Sequence, residues 1–135
     1  MTKYTLKCCA SGATAATMSR VAYPEMAAYS SAKAGLEALT LMLAPHFGPR
    51  RITVNAFAPG PFQSRMTAFA TADEAKRAVV AAGVPFGRIG RPEDIAGALL
   101  FLCGRGGAYT TGAIIPLDGG VGVECGHDLF EGAAG

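Results

Sequence analysis

Tyr29 and Lys33 stand four residues apart in AAYSSAKAG, residues 27–35, among small side chains. Residues with this spacing lie on one face of a helix, where their side chains come close enough to interact. A cation held beside a phenol favours the phenolate, and a tyrosine in that setting exchanges a proton with a substrate oxygen near neutral pH. The pair therefore predicts acid–base chemistry. Because such pairs also arise by chance, the rest of the chain must support this prediction.

The composition is that of one packed domain, and it indicates neither a nucleic-acid nor a membrane partner. The chain has 135 residues, of which 50% are hydrophobic and 16% are charged. A net charge of +2, with scattered basic residues, is too small to indicate a nucleic-acid partner. No apolar run approaches the ~20 residues that span a bilayer, so no membrane partner is expected.

The cysteines stand at positions 8, 9, 103 and 125 and include no CxxC pair. Adjacent Cys8 and Cys9 do not suit a disulfide framework, so we expect a reducing, cytoplasmic location. Cys125, His127 and Asp128 form a possible ligand cluster near the C-terminus. No second Cys/His group faces this cluster, and we expect no metal site.

Hydrophobic spacing and the positions of Gly and Pro divide the chain into alternating strands and helices. We predict strands at 3–10, 51–58 and 111–120, a long helix from about 25 to Phe47, and shorter helices at 72–82 and 92–103. The N-terminus, with Lys3 and Lys7 but no early acid, also resembles a weak transit peptide, but a strand is the preferred interpretation. This order predicts the α/β class, with a doubly wound parallel sheet of about three strands and flanking helices.

Several residues make these elements specific. Pro92 suits the first turn of the last helix, and Gly104 suits its end. Pro116 has no N–H to donate, so its strand is expected at or near a sheet edge. The packed face of the long helix is predicted from apolar residues at helical spacing: Leu36, Leu39, Leu43 and Phe47.

Four segments resemble motifs of the short-chain dehydrogenase/reductase family, in the order in which that family carries them. AAYSSAKAG resembles its YxxxK motif, and ITVNAFAPGPFQSRM resembles its strand and turn at the nicotinamide. GRIGRPEDIAGALLFLCG resembles its penultimate helix, and TGAIIPLDGG its last strand. The resemblance implies a 3-oxoacyl reductase-like chain: the C-terminal half of a Rossmann-like domain over 1–120, followed by a Gly-rich tail at 121–135.

The resemblance implies catalytic roles for two helix residues and one hydroxyl. Tyr29 is the general acid/base that protonates a carbonyl, or deprotonates an alcohol, as hydride moves. Lys33 favours the ionised form of Tyr29, and both residues bind the cofactor, Lys33 at the nicotinamide ribose. The family carries a catalytic Ser thirteen positions before the Tyr, where this chain has Ala16. Ser11, which follows the first predicted strand, is the candidate for that role, and Thr14 is the alternative.

The resemblance also implies a cofactor pocket after the second strand. Pro59, Gly60 and Phe62 line its nicotinamide side, and Ser64 replaces the Thr that usually hydrogen-bonds the carboxamide. The implied cofactor is NADP or NAD, with NADP slightly preferred. The family's nucleotide-binding half has no counterpart in these 135 residues, so an N-terminal truncation is expected.

Two functions follow from this resemblance. The first is an NAD(P)-dependent oxidoreductase that acts on a small-molecule carbonyl/alcohol pair. The apolar segment 62–88 would form its pocket and lid, which suits an aliphatic or acyl substrate. The second is a non-catalytic remnant that associates with partner subunits, as a homo-oligomer or with an intact relative. The residues expected to make those contacts are Leu36, Leu39, Leu99 and Leu102.

Overall fold

The computed structural model describes residues 7–8, 26–65 and 67–123. Its strands are β1 (Lys7–Cys8), β2 (Ile52–Thr53), β3 (Ala56–Pro59) and β4 (Ile114–Leu117). Its α-helices are α1 (Ala27–Phe47), α2 (Ala68–Thr71), α3 (Glu74–Ala82) and α4 (Pro92–Cys103). The three longer helices confirm the predicted helices closely. In the described ranges, no helix is both long and apolar enough to cross a membrane.

The strands form two parallel pairs along one continuous segment, residues 52–59. β1 pairs with β2 in the register Lys7–Ile52, and β3 pairs with β4 in the register Ala56–Ile114. The prediction of one uninterrupted strand over 51–58 was therefore wrong, because the strand divides between Thr53 and Ala56. The remainder of the predicted strand 3–10 lies outside the described residues.

Side chains supplement the backbone hydrogen bonds at this interruption, where the N–H of Gly112 donates to the carbonyl of Val54 at 2.7 Å and the N–H of Ala56 donates to the carbonyl of Ala113 at 2.9 Å. The Asn55 amide nitrogen donates to the carbonyl of Thr110 at 2.9 Å, and its carbonyl oxygen accepts from the backbone N–H of Ala113 at 3.0 Å. The hydroxyl of Thr111 accepts from the N–H of Val54 at 3.0 Å. Backbone polar groups need partners when they are removed from water, and these side chains supply them.

Helix α1 buries two small residues most deeply, while three of the four residues of the predicted apolar face, Leu36, Leu43 and Phe47, are partly buried. Thr40 and Ala44 are its buried residues, whereas Leu39 is 49% exposed. The Thr40 hydroxyl donates to the carbonyl of Leu36 at 2.8 Å, which satisfies its polar group inside the helix. Small side chains allow the helix to approach the connection at Gly112 closely. The helix ends in a 3₁₀ turn at Gly48–Arg50, as the Gly-Pro pair predicted.

Helix α4 begins at Pro92 and ends at Cys103, with Gly104 as its C-cap, as predicted. The Asp94 carboxylate accepts the N–H of Arg91, so it caps the first turn. Strand β4 pairs with β3 and, among the described residues, with no other strand, which suits the missing N–H of Pro116. The small buried core of this pair consists of Ala56 and Ala58, against which Ile114 packs.

Candidate functional site

One cleft brings together all the predicted site residues that lie in the described part of the chain. It has a volume of about 1260 Å³ and is lined by Tyr29, Lys33, Pro59, Gly60, Phe62 and Ser64. Its other walls come from α3, the loop 87–91 and the first turn of α4. Ser11 and Thr14 lie outside the described residues, so the structure does not place a catalytic hydroxyl donor.

Tyr29 and Lys33 share a face of α1, as their spacing predicted. The Lys33 ammonium lies 5.4 Å from the centroid of the Tyr29 ring, within the range of a cation–π contact. Both side chains are partly buried. The helix therefore holds a phenol and a cation together at the cleft, which is the arrangement that acid–base chemistry requires.

The loop after β3 approaches the turn after β4 closely. Gly60 donates its N–H to the carbonyl of Leu117 at 3.1 Å, and a Cβ at position 60 would lie 2.7 Å from the Cα of Asp118. Only glycine fits without displacing this backbone. The carboxyl ends of parallel strands are the usual binding edge of an α/β sheet, so the cleft lies where such folds bind ligands.

Ser64 belongs to a hydroxyl network with Thr67, a residue that the sequence analysis missed. The two hydroxyl oxygens are 3.0 Å apart, and the Thr67 N–H donates to the Ser64 hydroxyl at 3.2 Å. The Thr67 hydroxyl also donates to the carbonyl of Phe62 at 2.6 Å. Hydroxyl side chains three residues apart after a Pro-Gly turn are the signal that indicates such a local network.

Phe62 separates the cleft from a second cavity of about 380 Å³. Its ring packs against Gly90, and the N–H of Gly90 donates to the carbonyl of Pro61 at 2.8 Å. The smaller cavity is lined by residues that include Phe86 and Asp118. Phe62 thus forms a wall of both spaces, and Gly90 leaves room for its ring.

An ion pair that the sequence did not reveal holds the loop before α4. Arg88 donates to the two carboxylate oxygens of Asp94 at 2.7 and 2.9 Å. These hydrogen bonds, and the one from the Arg91 N–H, lower the pKa of Asp94 from 3.8 to about 2. Arg88 contacts both cavities, so the pair fixes a wall of the candidate site.

Within the described residues, no group of three or more His, Cys, Asp or Glu side chains is placed to hold a metal ion. The possible ligand cluster Cys125, His127 and Asp128 lies outside those residues. The polar groups that line the described part of the cleft include Tyr29, Lys33 and the hydroxyls of Ser64 and Thr67, together with charged side chains from α3 and the loop 87–91.

The chain is similar to several reductases and dehydrogenases. A family model described as Enoyl-(Acyl carrier protein) reductase matches residues 1–122. The chain is 46% identical over 93 residues to the 3-oxoacyl-(acyl-carrier-protein) reductase FabG of Pseudomonas aeruginosa, a match that covers 69% of this chain and 37% of that protein. It is 36% identical over 112 residues to the 3beta-hydroxysteroid dehydrogenase 1 of Eggerthella lenta, covering 83% of this chain and 43% of that protein.

A solved structure supports the fold. The RhlG/NADP active-site complex of Pseudomonas aeruginosa matches with a TM-score of 0.74 and 40% identity, over 82% of this chain and 43% of that chain. This match confirms the predicted fold class, a partial Rossmann-like α/β fold. The chain spans about two fifths of the length of the relatives it matches.

Proposed function

The chain belongs to the short-chain dehydrogenase/reductase family, and from this membership we propose that its cleft is the proton-transfer part of an NAD(P)-dependent oxidoreductase. Its substrate is a small-molecule carbonyl/alcohol pair of aliphatic or acyl character, which the similarity to FabG supports. The observation that carries the proposal is that one cleft contains both the Tyr29–Lys33 pair and the glycine loop after β3. The end of the family match at residue 122 supports a family domain over 1–120.

The residues at the cleft fit a nicotinamide. Gly60 carries no side chain where the loop approaches the next turn, and Ser64 presents an exposed hydroxyl that can bind a carboxamide. Lys33 would hold the ribose, while Pro59 and Phe62 would supply apolar contacts. The bound cofactor supplies or accepts the hydride. NADP is the preferred form, supported by the NADP bound to the similar RhlG.

Tyr29 donates the proton in the proposed reaction. Its hydroxyl protonates the substrate carbonyl oxygen during reduction and accepts the proton in the reverse direction. The Lys33 ammonium, 5.4 Å from the Tyr29 ring centroid, places a cation beside the proton donor in the same cleft. Ser11 would donate a hydrogen bond to the same substrate oxygen. A reducing, cytoplasmic setting completes the proposal, supported by four cysteines without a paired motif.

Titration of the 135-residue chain with NADPH and NADH, followed by cofactor fluorescence, tests this proposal. Saturable binding is expected, weakened about tenfold or more by Lys33→Ala because a charged hydrogen-bond donor is lost. Tyr29→Phe, which keeps the ring and Lys33, is expected to weaken cofactor binding less than Lys33→Ala and to lose reduction of a 3-oxoacyl substrate. Lys76→Ala is the matched control, because Lys76 pairs with Asp73 on the exposed face of α3. A folded chain that binds neither cofactor at millimolar concentration would contradict the proposal.

Exposed apolar residues favour a second candidate function, association without catalysis. Met42 on α1 is 74% exposed and Leu100 on α4 is 72% exposed. The prediction that Leu102 contacts a partner subunit was wrong, because Leu102 is buried within this chain. In this function the chain self-associates through α1 and α4. Association without cofactor affinity would favour it over the oxidoreductase.

A further inference from the structure

The cleft carries an excess of positive charge. Its charged lining residues are Lys33, Glu74, Arg77, Arg88 and Arg91, four cations against one carboxylate. Arg88 also pairs with Asp94, so four cations face two carboxylates and the cleft keeps an excess of two positive charges. A concave surface with one sign of charge raises the local concentration of ligands with the opposite sign. The cleft therefore favours an anionic ligand.

Arg77, like Arg88, is held by three side-chain hydrogen bonds. Its Nε and Nη2 donate to the same Glu74 carboxylate oxygen at 3.2 and 2.7 Å, and its Nη1 donates to the carbonyl of Thr71 at 3.3 Å. The Arg77 side chain is 30% exposed, whereas the Glu74 side chain is 87% exposed. A solvated surface carboxylate contributes little binding energy. Glu74 therefore orients the guanidinium and leaves it able to bind a second anion through its remaining N–H groups.

A chain of hydrogen bonds connects Arg77 to the loop that carries the proposed nicotinamide site. Thr71, whose carbonyl accepts from Arg77, is 1% exposed, and its hydroxyl donates to the carbonyl of Thr67 at 2.9 Å. The Thr67 hydroxyl donates in turn to the carbonyl of Phe62. These bonds tie the guanidinium to Thr67 and Phe62, which line the cleft together with Tyr29.

We propose that Arg77 is a specificity-determining residue that binds a carboxylate or phosphate substituent of the carbonyl substrate. This inference rests on the proposed function, since it assigns the substrate class of the same cleft. Arginine suits the role because its planar guanidinium forms paired hydrogen bonds to carboxylate and phosphate oxygens. The phosphates of the cofactor are the other source of the same chemistry, and the experiment separates the two.

The test compares two 3-oxo compounds that differ in one charge, acetoacetate and ethyl acetoacetate. Each is titrated into the full 135-residue chain and followed by ¹⁵N NMR, including the arginine Nε–Hε signals. Acetoacetate is expected to shift the signals of Arg77 and of residues 62–67. Arg77→Ala should weaken acetoacetate binding about tenfold or more and leave the neutral ester unaffected. Arg77→Gln provides the same test if the alanine variant does not fold, and Lys76→Ala should match the wild type.

Three results would overturn the proposal. They are no acetoacetate binding to the folded wild type at high millimolar concentration, equal losses for the acid and the ester, and a loss confined to NADPH binding. The last result would assign Arg77 to the cofactor phosphates. Arg77-dependent acetoacetate binding in a chain that binds no cofactor would support the anion site and contradict the oxidoreductase proposal. Normal NADPH binding, with no effect of Arg77→Ala on acetoacetate binding, would support the oxidoreductase proposal and contradict the anion site.

Discussion

Asp94 accepts hydrogen bonds from both ends of the loop 87–91, from the Arg88 guanidinium and from the Arg91 N–H just before α4. A single carboxylate thus ties the wall shared by both cavities to the first turn of a helix. Its negative charge also lies at the helix end where the peptide dipoles favour an anion. The shape of this part of the cleft therefore depends on the ionisation of one side chain.

Asp94→Asn is expected to lower the melting temperature at pH 7. Because the pKa of Asp94 is lower in the folded than in the unfolded chain, its carboxylate stabilises the fold above pH 3.8. That contribution is lost as the pH falls toward about 2. Thermal unfolding of both proteins across this range should show the difference in melting temperature shrinking.

Glu93→Gln is the control for Asp94→Asn, because Glu93 is an exposed acid in the same first turn. It should change the melting temperature less at neutral pH. A difference between wild type and Asp94→Asn that stayed constant down to pH 2 would contradict the assignment.

The sequence predicts those site residues whose positions depend on local spacing along one helix or loop. Tyr29 and Lys33 follow from helical periodicity and from the resemblance, and the structure places both at one cleft with the predicted loop. Their catalytic and cofactor-binding roles stay predictions. Thr67, Arg77 and the Arg88–Asp94 pair were missed, because their roles depend on how the segment 67–94 folds back over the cleft. No spacing rule gives that path.

Among the elements, the divided strand shows how a side chain can take over a backbone function. The run RITVNAFA has the composition of a buried strand, and its pattern gives no sign of a break. The break arises because the Asn55 amide matches the donor and acceptor of a peptide group. The prediction for α1 was limited for a related reason. Periodicity shows which residues share a face, but not that Thr40 and Ala44 are the residues buried most deeply.

Asn55→Ala is expected to destabilise the chain by about 2 kcal/mol, because it leaves the Thr110 carbonyl and the Ala113 N–H without their partner. Urea denaturation followed by circular dichroism measures this loss. Gln63→Ala removes an exposed amide from the neighbouring loop and should change stability by less than about 0.5 kcal/mol. Equal effects of the two substitutions would show that the Asn55 contacts do not hold the strand.

Gly60→Ala tests the approach of the loops after β3 and β4. A Cβ there overlaps the Asp118 backbone, so we expect a loss of about 1–3 kcal/mol and weaker NADPH binding. Gly97→Ala is the matched control, because nothing lies within 4 Å of its added Cβ in α4. That change should stabilise the helix by up to about 1 kcal/mol. If the loops meet as described, denaturation should show a loss of stability for Gly60→Ala and a gain for Gly97→Ala. Fluorescence titration should show weaker NADPH binding for Gly60→Ala alone.

Helices α1 and α4 leave large apolar side chains on the surface of the molecule. Leu41 and Phe101 are 56% and 50% exposed, in addition to Met42 and Leu100. The chain spans about two fifths of the length of its relatives. Surfaces of this kind favour association in water.

Sedimentation velocity measures that association. The wild-type chain is expected to form dimers or larger species at micromolar concentration, and Met42→Lys with Leu100→Lys should shift it toward the monomer because charges oppose apolar burial. Val79→Lys is the control, since Val79 is 75% exposed on α3 and lies outside both helices. A monomeric wild type, or an equal shift by the control, would contradict association through α1 and α4.

The connection TTGA, residues 110–113, meets the divided strand through a different kind of atom at each step. Thr110 accepts from the Asn55 amide through its backbone carbonyl, the Thr111 hydroxyl accepts from the N–H of Val54, and Gly112, with a φ of 75°, donates its own N–H to the carbonyl of Val54. Selection should therefore act unevenly on neighbouring positions. Related sequences that keep Asn at position 55 should vary freely at 110, alternate between Ser and Thr at 111, and retain Gly at 112.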